Sequence, residues 1–317
     1  MKPGRVCPTD YRTNPRDLSG EPHLIAETLY IVGGLYGNAF ALDAIEAMAG
    51  AEPGPVTIVF NGDAHWFDAD IETFRRLDVR LAQYPAICGN IELELRRNLD
   101  IGAGCGCAYP ETVDEGVVVR SNAILKTLAA CIRNEKAIKG RFRALPKMLL
   151  AHVGPARIAI VHGDAWSVAG WRFSREALDA AEANGSMNDL RCESRTDAFA
   201  STHTCEAVMR RFHTASGEIL IANNGAAGMA NFVGDTRGLI TRISRRRSPF
   251  SALYGAQVRD VYVEAVPVAF DHSTFVDQFD HIWPEGSPAA VSYRERIVGG
   301  GCARIETAKP SESHSKL

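Results

Sequence analysis

Three observations predict an α/β fold built from parallel strand–helix units. Short apolar runs lead into glycine-punctuated turns and then into helical periods, repeatedly in the N-terminal part of the chain. Further runs stop abruptly at His162-Gly163-Asp164, Ser201-Thr202-His203-Thr204-Cys205 and Asn223-Asn224-Gly225. Late stretches at 238–243 and 258–268 alternate, or nearly so, and predict antiparallel strands that complete a second or mixed sheet.

Residues 1–22, rich in Pro, Asp and Arg, read as an irregular arm. A strand through 29–32 is broken by Gly33-Gly34, and Phe40, Leu42, Ile45 and Met48 then carry a helical period up to Gly50. Residues 56–60 read as a buried strand ending at Asn61-Gly62-Asp63, 71–81 as a helix, and 86–88 as a short third strand ending at Gly89-Asn90. Glycines and the absence of a period make 98–116 a surface loop or lid with partly exposed thiols at Cys105 and Cys107. Ser121 is the expected N-cap of a helix through Ile124, Leu125, Leu128 and Ile132. Strands follow at 157–161, 198–200 and 219–222, and the polar tail from 301 to 317 is expected to be flexible.

Hydrophobic residues at 46% and charged residues at 23% suit a soluble globular protein, and a net charge of -3 gives no general attraction to nucleic acid or anionic membrane. The local exception is 242–247, with four arginines; it reads as a solvated strand end, with a phosphate-facing patch as the alternative. The sequence contains no apolar run of membrane-spanning length and no signal-peptide core at its N-terminus, so the expected location is cytoplasmic. Eight cysteines do not dominate the composition, and Cys88, Cys131 and Cys205 are expected to pack as small hydrophobes in a reducing compartment. The glycine spacing at 33–37 matches neither a dinucleotide-binding loop nor a P-loop, which disfavours an unrelated nucleotide-binding α/β protein.

Asp63, Asn90, His162 and His203 each stand at a turn directly after an expected strand. One carboxylate, one amide and two imidazoles make an oxygen- and nitrogen-donor set suited to Zn, Fe or Mn. Singly, each is an ordinary turn or structural residue; together and in this order they predict a metal site.

These motifs resemble those of the calcineurin-like metallophosphoesterase superfamily, in particular its small prokaryotic phosphodiesterase branch. The resemblance rests on Gly37-Asn38, Gly62-Asp63, Gly89-Asn90, His162-Gly163 and His203-Thr204, with Asn223 to Gly228 standing where the family has a turn after its last histidine motif. It implies one domain over 23–300 with two central mixed β-sheets sandwiched between helices, a four-layer α/β/β/α arrangement. It further implies a phosphomonoester, phosphodiester or nucleotide substrate and a dinuclear metal site.

The departures from the pattern bear on activity. Gly34 and Tyr36 replace the first-motif aspartate and histidine, Cys205 the last ligand histidine, and Ile91 the catalytic histidine. One metal site keeps Asp63, Asn90, His162 and His203; the other keeps only Asp63. The chain is therefore expected to hold one divalent metal and to hydrolyse a phosphate-containing small molecule by metal-activated water. The alternative is an inactive protein of the same fold serving as a ligand-binding or structural module. Tyr36 and Cys205 are candidate ligands of an altered second site, but the plainer expectation is that Tyr36 fills the space and donates its hydroxyl to Asp63. His65 is a weak candidate for the missing proton donor, with a surface histidine as the plainer reading, and Asn38 a weak one for a phosphate contact. Glu92 and Asp164 are expected to orient ligands or shape the charge of the pocket. Trp66 and Trp171 are read as core or rim residues, with an aromatic wall as the alternative.

Overall fold

The computed structural model describes residues 2–180 and 182–312. In chain order the first half contains β1 (Leu24–Ala26), β2 (Thr28–Val32), α1 (Ala39–Gly50), β3 (Val56–Phe60), α2 (Ile71–Leu81), α3 (Asn90–Leu95), α4 (Glu115–Cys131), α5 (Lys136–Ala144), β4 (Met148–Val153) and β5 (Ala156–Val161). The second half contains α6 (Arg175–Asp179), α7 (Ala183–Ser194), β6 (Ala198–Ser201), β7 (Ala207–Thr214), β8 (Gly217–Asn224), β9 (Gly238–Ser244), β10 (Tyr254–Val258), β11 (Val261–Val268), α8 (His272–Ile282), α9 (Pro288–Gly299), α10 (Ile305–Ala308) and β12 (Ser311–Glu312).

The strands form two mixed sheets, ordered β1-β4-β5-β6-β8-β7-β12 and β10-β11-β9-β2-β3. Strand periodicity explains the layers, because alternate side chains leave opposite faces. In β2, Leu29 and Ile31 enter the core between the sheets with Val59, Ile158, Ile160, Leu220 and Val263. Tyr30 and Val32 point the other way, under Leu42 and Ile45 of α1 and Leu77 and Leu81 of α2. In β8, Leu220 and Ala222 face inward, whereas Ile219 and Ile221 meet Met187 and Leu190 of α7. Both sheets are thus covered on both faces, and the four-layer α/β/β/α arrangement is the one the sequence implied. Among the described residues no helix is long and apolar enough to cross a membrane.

Several local expectations need correction. Residues 86–88 form no strand: Ala86 makes one isolated bridge with Phe60, and the Cys88 N–H donates to Pro146 instead. Pro85 has no N–H to offer, and Gly89 turns the chain into α3. Helix α4 begins well before Ser121, capped by Asp114 on the Gly116 N–H. The β-branched run at 117–119 argues against helix on propensity, but burial of Val118 overrides it. Ser121 is instead a buried mid-helix residue hydrogen-bonded to the Tyr109 hydroxyl at 3.0 Å. The stretch at 258–268 is the second half of a hairpin, with Arg259 in the left-handed region between β10 and β11. Cys105 and Cys107 are buried, because their loop folds back onto α3 and α4. In the segment read as a flexible tail, α10 forms and β12 pairs with β7. The eight cysteines are all free thiols.

The arginine run divides. Arg245, Arg246 and Arg247 are exposed, but Arg242 is fully buried. Its guanidinium donates to both oxygens of Glu52 at 2.6 and 2.9 Å and to Glu264 at 2.8 Å. Removing one partner of such a cluster leaves uncompensated buried charge. Arg242→Ala is expected to cost about 3–5 kcal/mol in urea denaturation. An Arg242→Met/Glu52→Met/Glu264→Met variant, which leaves no charge behind, should lose much less; equal losses would contradict the ion-pair account.

Candidate metal centre

The candidate residues stand beyond the C-terminal ends of β3, β5 and β6 and at the start of α3, where the two sheets meet. After β3 the chain turns through Gly62 at φ 94° and Asp63 at φ 52°. The turn is tight: a Cβ on Gly62 would lie 2.5 Å from the Gly89 nitrogen and 2.6 Å from His162 Nδ1. Glu92 ties this turn to α3, accepting from the Gly89 and Asp63 N–H groups at 2.7 and 3.0 Å and from Ala64 at 3.0 Å. Burial, then the neighbouring charge of Asp63, raises the Glu92 carboxyl above its ordinary range, against those three N–H groups. Glu92 therefore positions the backbone that carries Asp63 and Asn90.

Both imidazoles are held from behind. His162 Nδ1–H donates to the Asn61 carbonyl at 2.8 Å, and His203 Nε2–H donates to the Cys107 carbonyl at 3.1 Å. Each neutral ring therefore turns its other nitrogen towards the cluster, in the manner of metal-binding histidines. His162 Nε2 lies 3.2 Å from His203 Nδ1, 3.1 Å from Asn90 Oδ1 and 3.3 Å from Asp63 Oδ2. Asn90 is oriented by donation from Nδ2 to the Cys105 carbonyl at 3.0 Å, and Asp63 by accepting the Ile91 N–H at 3.1 Å on Oδ1.

Four polar atoms thus converge inside the protein, and all four are acceptors once His162 is neutral. Ligand atoms of Asp63, His162 and His203 lie within 4.8 Å of each other, all three residues buried. Burial disfavours charge on every member, but the attraction between Asp63 and His162 overcomes it, holding the carboxyl low and the imidazole high. Burial, then the charge of His162, pushes His203 down to about 3. An oxygen- and nitrogen-donor set of this kind fits one divalent cation of intermediate softness.

The positions of the second site are occupied by packed side chains. The Tyr36 hydroxyl donates to Cys205 Sγ at 2.7 Å, rather than to Asp63 as expected, and the thiol donates to the His203 carbonyl at 3.5 Å. Burial pushes both groups above their ordinary values and keeps them protonated. The Tyr36 ring lies over Gly34, where an added Cβ would meet it at 2.9 Å. Tyr36, Asp63, His203 and Cys205 all have φ between 44° and 56°, left-handed conformations unusual for residues other than glycine.

The site opens into a cavity of about 120 Å³ that includes Ile91, Trp66, Tyr109, Trp171 and Tyr293 in its wall and has no Lys or Arg in it. Both tryptophans therefore line the site. Tyr109 and Tyr293 were missed by sequence reasoning. Tyr109 follows the Cys-x-Cys segment closely, but nothing local marks Tyr293 on α9.

His65 is neither at the surface nor in this cavity. It is buried against Asp68 at 2.6 Å and stacked on Phe74 at 3.7 Å. Asn38 is consumed as the N-cap of α1, accepting from the Ala41 N–H and donating to the Gly228 carbonyl. Asp164 closes its own turn by accepting from Trp166, Ser167 and Arg172 N–H groups.

No protein-family model and no curated protein sequence matches the chain. Solved structures do. A metallophosphoesterase from Sphaerobacter thermophilus aligns over 87% of this chain and 99% of its own, at TM-score 0.55 and 15% identity. A hypothetical protein from Pyrococcus horikoshii OT3 aligns over 88% and 100%, also at TM-score 0.55 and 15% identity. At this identity the likeness concerns the fold. The chain has the calcineurin-like metallophosphoesterase fold, with a partial cluster of metal-type ligands.

Glu92→Gln would set an amide N–H₂ against backbone N–H groups. It is expected to lower stability by about 1–3 kcal/mol in chemical denaturation, and an unchanged midpoint would remove Glu92 from the positioning role.

Proposed function

We propose that this chain is a mononuclear metal-dependent phosphoesterase, holding one divalent cation through Asp63, Asn90, His162 and His203. The carrying observation is that four buried metal-type ligand atoms converge, with both imidazoles oriented from behind by backbone carbonyls. A cation there supplies a polarised phosphoryl oxygen and a bound water of lowered pKa. The protein's own share is to hold the donors in place and to exclude bulk water with Trp66, Tyr109 and Trp171 around a small chamber. The substrate is a phosphomonoester, phosphodiester or nucleotide whose phosphate enters the chamber of about 120 Å³ at the centre.

Ile91 stands where a proton donor would serve the leaving oxygen, and its side chain has none. General-acid catalysis contributes roughly 10²–10⁴-fold, so hydrolysis depends on a leaving group that departs unprotonated. Purified without chelator, the protein should contain near one equivalent of Mn, Fe or Zn, lost in Asp63→Ala and His203→Ala. It should cleave 4-nitrophenyl phosphate or bis(4-nitrophenyl) phosphate at least 100-fold faster than the methyl analogues, an estimate from that same contribution. Metal affinity should fall as pH falls through the range in which His162, raised by Asp63, takes a proton.

The second reading is a non-catalytic ligand-binding module, and the packed Tyr36–Cys205 pair beside Ile91 favours it. A metal-replete protein inert even towards nitrophenyl esters would establish that reading. No bound metal after reconstitution would remove both the metal site and the phosphoesterase.

The same packing predicts how a second site is rebuilt. Gly34→Asp alone should leave the metal content at one equivalent and destabilise the fold, because its Cβ meets the Tyr36 ring. Gly34→Asp/Tyr36→His/Cys205→His should raise the metal content towards two equivalents by elemental mass spectrometry. A second equivalent in the single variant would contradict the steric account.

A further inference from the structure

A second cavity, of about 510 Å³, lies on the far side of the loop that carries Cys105 and Cys107. Its volume falls within the roughly 300–1,000 Å³ of small-molecule sites, unlike the chamber at the metal centre. One wall is α4 and its C-terminal extension, where Lys126, Ala129, Ala130 and Arg133 follow one another at helical spacing on a single face. The two alanines leave room between the two cations. Lys139 of α5 adds a third cation, and the exposed side chain of Leu99 at the open rim, with the aliphatic stems of Lys126 and Lys139, adds apolar surface beside the buried Leu125.

The charge on these walls is unbalanced. Glu94 is engaged by Arg97 and the Tyr11 hydroxyl and Arg97 is shared between Asp10 and Glu94, which leaves Asp100, accepting only the Gly102 N–H, as the one wall carboxylate without an ion pair among the described residues. Lys126, Arg133 and Lys139 are in no ion pair among the described residues. Cations beside aliphatic surface in a cavity of this size suit an anionic head carrying a short hydrocarbon chain.

The wall of this cavity is also the support of the metal centre. Asn122 Oδ1 accepts the Cys105 N–H at 2.8 Å, and its Nδ2 donates to the Pro3 carbonyl at 3.1 Å. The Cys105 carbonyl in turn accepts from Asn90 Nδ2, and the Cys107 carbonyl from His203 Nε2. Two of the four proposed metal ligands therefore take their orientation from a loop whose other face, through Gly102 and Gly104, lines the cavity.

We propose that this cavity is a second ligand site, specific for a medium-chain carboxylate, and that its occupancy changes metal affinity at the centre beyond the loop. The coupling rests on the metal reading given above; the binding does not.

The test is isothermal titration of octanoate into the metal-free full-length protein. One saturable site is expected, weakened at least tenfold in Lys126→Glu/Arg133→Glu and in Ala130→Leu, which fills the space with all charges retained. Thermal unfolding of the variants checks that they remain folded. Binding should persist in Asp63→Ala. Failure to saturate, affinity unchanged in both cavity variants, or inorganic phosphate binding as tightly as octanoate would overturn the site.

A second titration, with Mn²⁺, should show a severalfold change in affinity under saturating octanoate in the wild type and none in Ala130→Leu. An equal change in both proteins, or no change in the wild type, overturns the coupling. Failure of Mn²⁺ to bind without octanoate removes the metal reading and the coupling with it, while the first titration still decides the cavity.

Discussion

The structure depends on amide hydrogen bonds that join the two sheets at their C-terminal ends. Asn61, just beyond β3, accepts from His162 Nδ1–H on its carbonyl and donates from Nδ2 to the Val161 carbonyl at 3.1 Å. Asn224, at the end of β8, donates to Gly33 and Leu239 across the same junction at 3.0 and 2.8 Å. The apolar core between the sheets is extensive but non-directional. Buried hydrogen bonds are directional and costly to leave unmade, so they set how the strand ends meet. One of them also selects the tautomer of His162, so the contact that aligns the layers also prepares a ligand.

The centre built on this junction concentrates unfavourable terms. Four buried polar side chains converge, and four non-glycine residues at and around them hold left-handed backbone conformations. Such conformations cost about 1–3 kcal/mol each and persist where the surroundings enforce them. Here Glu92, the Asn61 junction and the carbonyls of Cys105 and Cys107 supply the enforcement. Backbone strain and buried polar atoms are thus gathered in one spot and held there by its surroundings.

Legibility in the sequence followed the range of the interactions. Residues 56–60 and 71–81 were read with the bounds the structure has, because a buried β-branched run and a strong amphipathic period each declare themselves locally. The start of α4 did not, since packing of Val118 decided it against local propensity. At the site, the order of Asp63, Asn90, His162 and His203 was visible, and the structure brings all four together. The roles of His65 and Asn38 were not, because a nearby acid and a helix cap claim those side chains. Tyr293 was invisible for a different reason: its place in the chamber is set by how α9 packs, far along the chain from every motif.

The contact between Gly34 and Tyr36 makes the two positions interdependent. With tyrosine in place, a side chain at 34 has nowhere to go. With glycine in place, a histidine at 36 has no neighbouring first-motif carboxylate to share a cation with. Each of the two residues therefore removes the advantage of changing the other alone, and the hydrogen bond from Tyr36 to Cys205 draws a third position into the same lock. A paired-metal centre at these positions would therefore call for several substitutions made together, since no single one of them has both the room and the partners it needs.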